Sequence, residues 1–152
     1  MNEITIRRAK ADDLPAIVSL LADDPLGAAR ENSALPIDQR YAQAFAAIDA
    51  DPNQFLAVAV DASGIVGTLQ LTFVPGLSRM GSWRGQIEAV RIAENRRGAG
   101  LGEHLLLWAI SECRKRGCRL VQLTTDKNRP DAHRFYERLG FTASHLGYKL
   151  AL

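Results

Sequence analysis

Apolar and polar positions alternate at the start of the chain, where Ile4-Thr5-Ile6-Arg7 reads as a first strand. Asp12 and Asp13 favour a helix start, and Pro15 is tolerable only in that helix's first turn. Leu14, Ile17, Val18, Leu20 and Leu21 then recur at helical spacing until Asp23-Asp24-Pro25 ends the pattern. Residues 25–35 carry no clear period. Pro36 fits the first position of a second helix, with Tyr41, Ala44, Phe45 and Ile48 as its apolar face. Gln54 to Val60 is an almost unbroken apolar run, Asp61-Ala62-Ser63-Gly64 is a turn, and Ile65 to Phe73 returns as an antiparallel partner. Pro75 to Gly85 is Gly-rich and reads as a loop carrying Arg79, Met80, Trp83 and Arg84.

The second half is more regular. Gln86 to Ile92 reads as a strand, followed by a helix from Gly98 to about Arg116. The stripe of that helix is Gly102, Leu105, Leu106, Ala109, Ile110 and Cys113, and Gly117 is placed to cap it. Leu120 to Thr125 is the next strand. Strand, helix, strand in that order implies a right-handed crossover and a parallel pair. Asp131 to Leu139 is a shorter helix capped by Gly140, and Phe141–Ala143 with Tyr148–Leu150 reads as a closing hairpin. There are no internal repeats, low-complexity tracts or linkers, so 152 residues read as one domain, 1–152.

Charge and composition narrow the classes. A net charge of +2 is too small to argue for nucleic acid, and the densest basic run, Arg114-Lys115-Arg116, lies where cations complement a helix end. No apolar stretch approaches the ~20 residues that span a membrane, and the start lacks the layout of a signal peptide. The expectation is a cytoplasmic protein with reduced cysteines. Cys113 and Cys118 lack metal-ligand spacing, and Cys113 sits on an apolar stripe, which reads as core rather than as an acyl-cysteine nucleophile.

The candidate chemistry starts at Arg96-Arg97-Gly98-Ala99-Gly100-Leu101-Gly102-Glu103. Glycines let backbone N–H groups approach a ligand, and a helix start adds unpaired N–H groups and the positive dipole end. Together these make a phosphate cradle, with Arg96 and Arg97 as cationic screening. Glycines at 98, 100 and 102 do not have the G-x-G-x-x-G spacing of a dinucleotide site, and the Gly-Lys-Ser/Thr ending of a P-loop is absent. A plain Gly-rich turn is the bland alternative.

Arg97-Gly98-Ala99-Gly100-Leu101-Gly102 resembles the Arg/Gln-x-x-Gly-x-Gly/Ala motif of the GNAT superfamily of N-acetyltransferases. Asn128 and the run Ala132-His133-Arg134-Phe135-Tyr136-Glu137-Arg138-Leu139-Gly140-Phe141 are similar to that family's second conserved block. The likeness covers about residues 86 to 142. It implies an α/β GNAT fold: a mixed central sheet of about six to seven strands with a splayed parallel pair, flanked by about four helices. It also implies acetyl-CoA as cosubstrate, no metal, and direct transfer to a primary amine in a ternary complex. By position, the backbone of Val90, Arg91 and Ile92 binds the pantetheine arm, and Arg97, Gly98, Ala99, Gly100, Leu101 and Gly102 hold the pyrophosphate. Asn128 matches the asparagine that bonds the arm, Tyr136 the tyrosine that protonates the leaving thiolate, and a backbone N–H at Ala89 or Val90 serves the oxyanion.

Acetylating an amine also needs a base. Glu88 is a carboxylate within an apolar strand, where partial burial would favour that role, with His133 as the alternative. In the resembled family the 25–48 region shapes the acceptor pocket, which brings in Glu31 and Tyr41, each set against a plain solvated or packing role. The loop at 75–85 is either a mobile neighbour of the acceptor or an interface. The acceptor is a small-molecule or protein amine, and a homodimer through the C-terminal strands or that loop is a family-level expectation. Two other readings stand beside the enzyme: a non-catalytic acyl-CoA-binding or regulatory domain on the same fold, and a nucleotide-binding regulator, which the glycine spacing disfavours.

Overall fold

The computed structural model describes residues 3–152. They form two compact units, one of the described residues up to Gln122 and one of Leu123–Leu152. In the first, β1 (Thr5–Arg8), β2 (Gln54–Asp61), β3 (Gly64–Pro75), β4 (Trp83–Ile92) and β5 (Leu120–Leu123) line up in chain order in one sheet. The first four are antiparallel. β5 runs alongside β4 in the same direction, because Arg119 N donates to Trp83 O and Gln122 Nε2 reaches Gln86 Oε1. The parallel pair expected from the crossover is therefore present.

Helices α1 (Leu14–Ala22) and α3 (Gln39–Ala50) lie on one face of the sheet, where Leu56, Thr68 and Gln70 point toward them. Helix α5 (Leu101–Lys115) covers the other. There Phe55 meets Trp108 edge-to-face with centroids 5.0 Å apart. Leu69, Leu71, Ile87, Leu105 and Leu106 are fully enclosed. Gly85 is required for that packing: a Cβ there would collide with the sulfur of Cys113 on α5.

Several local expectations need correction. Among the described residues the sheet has five strands, not six to seven, and there are six α-helices, not about four, besides two short 3-10 turns. α3 begins at Gln39 rather than Pro36, because the Asp38 carboxylate accepts from Arg40 N and caps the helix there. Between α1 and α3 a single turn, α2 (Pro25–Ala28), forms where Asp24 accepts from Gly27 N. The loop expected over 75–85 is shorter, since β4 already starts at Trp83. Its tip, α4 (Ser78–Gly81), places Arg79 and Met80 in left-handed conformations.

The second unit holds α6 (Pro130–Arg138) and the chain's ending. Gly140 has φ 95°, and the Gly140 N→Glu137 O and Phe141 N→Tyr136 O bonds close the helix in a Schellman arrangement. Gly117 ends α5 in the same way, through Gly117 N→Arg114 O and Cys118 N→Cys113 O. The predicted closing hairpin is absent: residues 139–152 contain no strand.

Gly85→Ala should destabilise the fold by about 1–3 kcal/mol through overpacking. Adding Cys113→Ala removes the colliding sulfur, so urea unfolding of the double variant should show it more stable than the two single losses added together. Simple additivity would rule out the Gly85–Cys113 contact as the cause.

Candidate active site

The site is built around a fault in the β3–β4 ladder. Gln70 pairs with Glu88 and Thr68 with Arg91, so Leu69 alone faces both Ala89 and Val90. This is a β-bulge, which leaves an extra residue outside the ladder and bends its strand. Ala89 carries the strain, with φ 54°. A non-glycine residue held there costs on the order of 1–3 kcal/mol.

Ala89 lies on the wall of an apolar cavity of about 160 Å³ between α1, α3 and the sheet. Leu14, Ile17, Val18 and Leu21 line it from α1, and Tyr41, Phe45 and Ile48 from α3. Thr68 is almost fully buried, its hydroxyl donating to Ala57 O at 2.8 Å. Tyr41 also borders a second, polar cleft of about 320 Å³ lined by Arg30, Asn32, Asp38 and Arg40. The Tyr41 hydroxyl donates to Glu31 Oε2 at 2.7 Å and accepts from Asn32 N at 3.0 Å. The bond to Glu31, and then burial, holds its pKa above the usual tyrosine value. Arg40 is forked onto Asp38. Arg30 has no ion-pair partner among the described residues.

Glu88 sits directly across from Gln70, so its side chain leaves the sheet on the cavity's face. It is exposed, so the partial burial expected of it is not met. Past the bulge, Arg91 takes that same face and pairs with Asp24 Oδ2 at 3.0 Å, both side chains mostly enclosed. Arg91 Nη1 also donates to Val90 O, a carbonyl that retains a second lone pair.

β4 leads directly to the glycine cradle. Gly98 and Gly100 have φ 78° and 81°, and a Cβ on either would meet nothing within 4 Å. Gly100 is the N-cap of α5 and supplies no side chain to satisfy the first N–H groups. With Ala99, Leu101 and Gly102, this leaves an open stretch of backbone at a helix start, suited to an anion. Arg97 holds the loop in place: its Nε donates to Ile92 O at 3.2 Å and its guanidinium pairs with Asp23 at 3.6 Å. Arg96 does not screen the cradle. It turns to the β2–β3 turn and pairs with the enclosed carboxylate of Asp61 at 2.5 Å. Nothing local in the sequence announces that partner, 35 residues away.

Asn128, His133 and Tyr136 belong to the second unit. Asn128 N donates to Asp126 Oδ1 in a turn that leads into α6. His133 Nε2 bonds Asp126 O at 2.8 Å, which engages one ring nitrogen with the backbone. Tyr136 is half-buried, with Phe135 and Phe141 edge-to-face around it at 5.3 and 6.0 Å. Cys113 is core, its thiol pushed up to about 12 mainly by burial, which suits packing rather than acyl capture. Among the described residues no cluster of three or more metal-ligating side chains forms, and no helix is long and apolar enough to cross a membrane.

The acetyltransferase (GNAT) family model matches residues 14–141. The chain belongs to this family of acyltransferases. Its five-stranded mixed sheet with flanking helices is a GNAT fold, and the family uses acetyl-CoA. It is 36% identical over 114 residues to an aminoalkylphosphonate N-acetyltransferase of Salmonella typhimurium, covering 75% of this chain and 73% of that one. It is 38% identical over 89 residues to a glucosamine 6-phosphate N-acetyltransferase of Trypanosoma brucei brucei, covering 58% of each. A crystal structure described as a transcriptional regulator from Bacillus halodurans C-125 is 51% identical, with TM-score 0.96, covering 99% of this chain and 100% of that one.

The Asp61 carboxyl is held below the usual carboxylate range, first by the Ser63 hydroxyl and backbone N–H, with Arg96 adding to them. A carboxyl depressed by folding contributes stability above its unfolded pKa of about 4, and that stability is lost as pH falls through the lower folded value. Asp61→Asn should therefore lower the melting temperature at pH 7, and the gap to the parent should close in acid. A gap that stays constant down to pH 3 would remove the ionic account.

Proposed function

We propose that this chain acetylates a small-molecule primary amine directly from acetyl-CoA, and that the amine carries an anionic group. The observation that carries the reading is the bulge at Ala89: one strand borders an apolar cavity and then runs into an open, uncapped glycine cradle. The cradle at Arg97–Gly102 receives the pyrophosphate on backbone N–H groups, and the backbone of Val90, Arg91 and Ile92 receives the pantetheine arm. The thioester supplies the acetyl group. As the amine nitrogen–carbon bond forms and the carbon–sulfur bond breaks, Glu88 takes the amine proton, directly or through water. A backbone N–H at Ala89 or Val90 donates to the developing oxyanion. Tyr136 gives its proton to the departing thiolate, and Asn128 orients the arm.

The apolar cavity suits the carbon skeleton of the acceptor, and Arg30 in the adjoining cleft suits an anion. Two relatives support that choice, since aminoalkylphosphonate and glucosamine 6-phosphate both join an amine to a phosphorus oxyanion. The regulator description of the Bacillus structure keeps a second reading in play, an acyl-CoA-binding domain without catalysis.

Calorimetric titration with acetyl-CoA should give micromolar binding, lost in Gly100→Glu. Gly100→Ala matches its backbone strain without the charge and should retain most affinity. No binding of acetyl-CoA or CoA by folded protein would sink the reading. Tyr136→Phe should lower kcat about 100-fold or more while CoA affinity stays within about twofold. In an amine panel, Arg30→Ala should raise KM for phosphonate- or phosphate-bearing amines about tenfold and leave neutral amines unchanged. A wild-type protein that binds CoA and acetylates nothing in that panel favours the regulatory reading.

A further inference from the structure

The side chains of Tyr41, Thr68 and Gln70 bring polar atoms to the wall of the apolar cavity, and the first two have spent their hydrogens. Thr68 is enclosed, and its hydroxyl donates to Ala57 O at 2.8 Å. The Tyr41 hydroxyl donates to Glu31 and accepts from Asn32 N. Gln70 is half-buried, and only one end of its amide is engaged. Its Nε2 donates to Gln54 Oε1 at 3.0 Å, and Thr72 Oγ1 donates to that same oxygen at 3.0 Å. Gln70 Oε1 has no partner among the described residues. An amide oxygen accepts and never donates, so the open end of Gln70 suits a ligand N–H or O–H.

Its position favours nitrogen. Gln70 is directly opposite Glu88 in the β3–β4 ladder, on the cavity's face, and the bulge at Ala89 follows at once. Directly opposed residues hold their Cβ atoms roughly 4.5–5.5 Å apart, so two long side chains there can meet one ligand atom. Both ends are acceptors, one neutral and one a carboxylate. A hydroxyl has a single hydrogen to share between them, whereas a primary amine has enough for both.

We propose that Gln70 is the residue that selects a primary amine, its Oε1 holding the one hydrogen that the nitrogen keeps throughout the reaction. The proposal rests on the acetyl-transfer reading above, with Glu88 as base. A primary ammonium has three N–H bonds. One proton leaves through Glu88 and frees the lone pair. The nitrogen–carbon bond then forms, a second proton leaves by the same route as the carbon–sulfur bond breaks, and the thiolate takes up one proton. One proton passes to solvent overall. The third hydrogen stays on the amide product, bonded to Gln70 Oε1 from start to finish. An N-methyl amine must give up both of its protons and leaves that oxygen unpaired, a loss on which a polar site discriminates strongly. The bond to Gln54 fixes the Gln70 amide in advance, so little ordering remains to be done when the amine binds.

Steady-state rates of wild type, Gln70→Met, Gln70→Glu and Gln54→Met would be compared on aminomethylphosphonate, or the fastest amine of the panel, and on its N-methyl derivative. Wild type should favour the primary amine in kcat/KM. Gln70→Met should cut that preference about tenfold or more, with acetyl-CoA affinity and the thermal melt near wild type. Gln70→Glu restores an acceptor oxygen and should keep the preference. Gln54→Met breaks the same Gln54–Gln70 bond but leaves the Gln70 amide, and should keep most of it. Full preference in an active Gln70→Met overturns the proposal, and so does its loss in Gln70→Glu. Equal losses in Gln70→Met and Gln54→Met mark a merely structural role and overturn it as well. A wild type that acetylates no amine sinks the transfer reading itself and this proposal with it.

Discussion

The β4 bulge is the constraint from which the arrangement of the first unit follows. Side chains along a strand alternate faces, so one extra residue reverses the phase of all that comes after it. Before the bulge, Ile87 faces the α5 core and Glu88 the cavity. After it, Arg91 opposite Thr68 takes the cavity face, although an unbroken strand would give that face to Val90 and Ile92. Unbulged, the Arg91 guanidinium would be directed into the apolar layer that encloses Leu69, Leu71, Leu105 and Leu106. With the bulge it reaches Asp24, whose other oxygen caps α2.

That ion pair connects β4 to the wall of the cavity. Asp24 stands at the turn between α1 and α2, and Gly27 one turn on has its Cβ position filled by the Leu21 carbonyl. Asp23, the neighbouring residue, holds Arg97. The two acids that end α1 thus anchor both the strand carrying Ala89 and the loop leading to the cradle. The left-handed strain at Ala89 is tolerable because the long β3–β4 ladder continues on both sides of it.

What the sequence revealed divides along this line. Glycines at positive φ, the α5 stripe and the Gly117 and Gly140 caps were legible, since each depends on residues within one or two turns. The bulge was not, because alanine at φ 54° has no compositional mark; a glycine there would have been the signal. Nor was the partner of Arg96: an arginine beside a glycine loop reads as a phosphate ligand, and only the fold places Asp61 within its reach. Glu88 was found by its position in an apolar strand, but its exposure depends on the strand's phase and on what covers that face. The closing hairpin was misread: Tyr148–Leu150 alternates like a strand, but residues 139–152 contain no strand, and a short alternating run does not by itself supply a pairing partner.

In the proposed reaction the exposed position of Glu88 leaves the base role to access rather than to the burial expected of it. An amine arrives protonated and must lose a proton before it attacks. A carboxylate at the open rim, opposite Gln70, can attract the ammonium form and pass its proton to water. A carboxylate deep in the apolar wall of α1 and α3 would bear a desolvation cost and have no route for the proton. On the proposed reading, the apolar part of the acceptor would lie below the rim, against Ile17, Val18 and Phe45, with its nitrogen near the bulge. The bulge would then set the depth of the nitrogen, because Ala89 lines the same cavity whose face Glu88 shares.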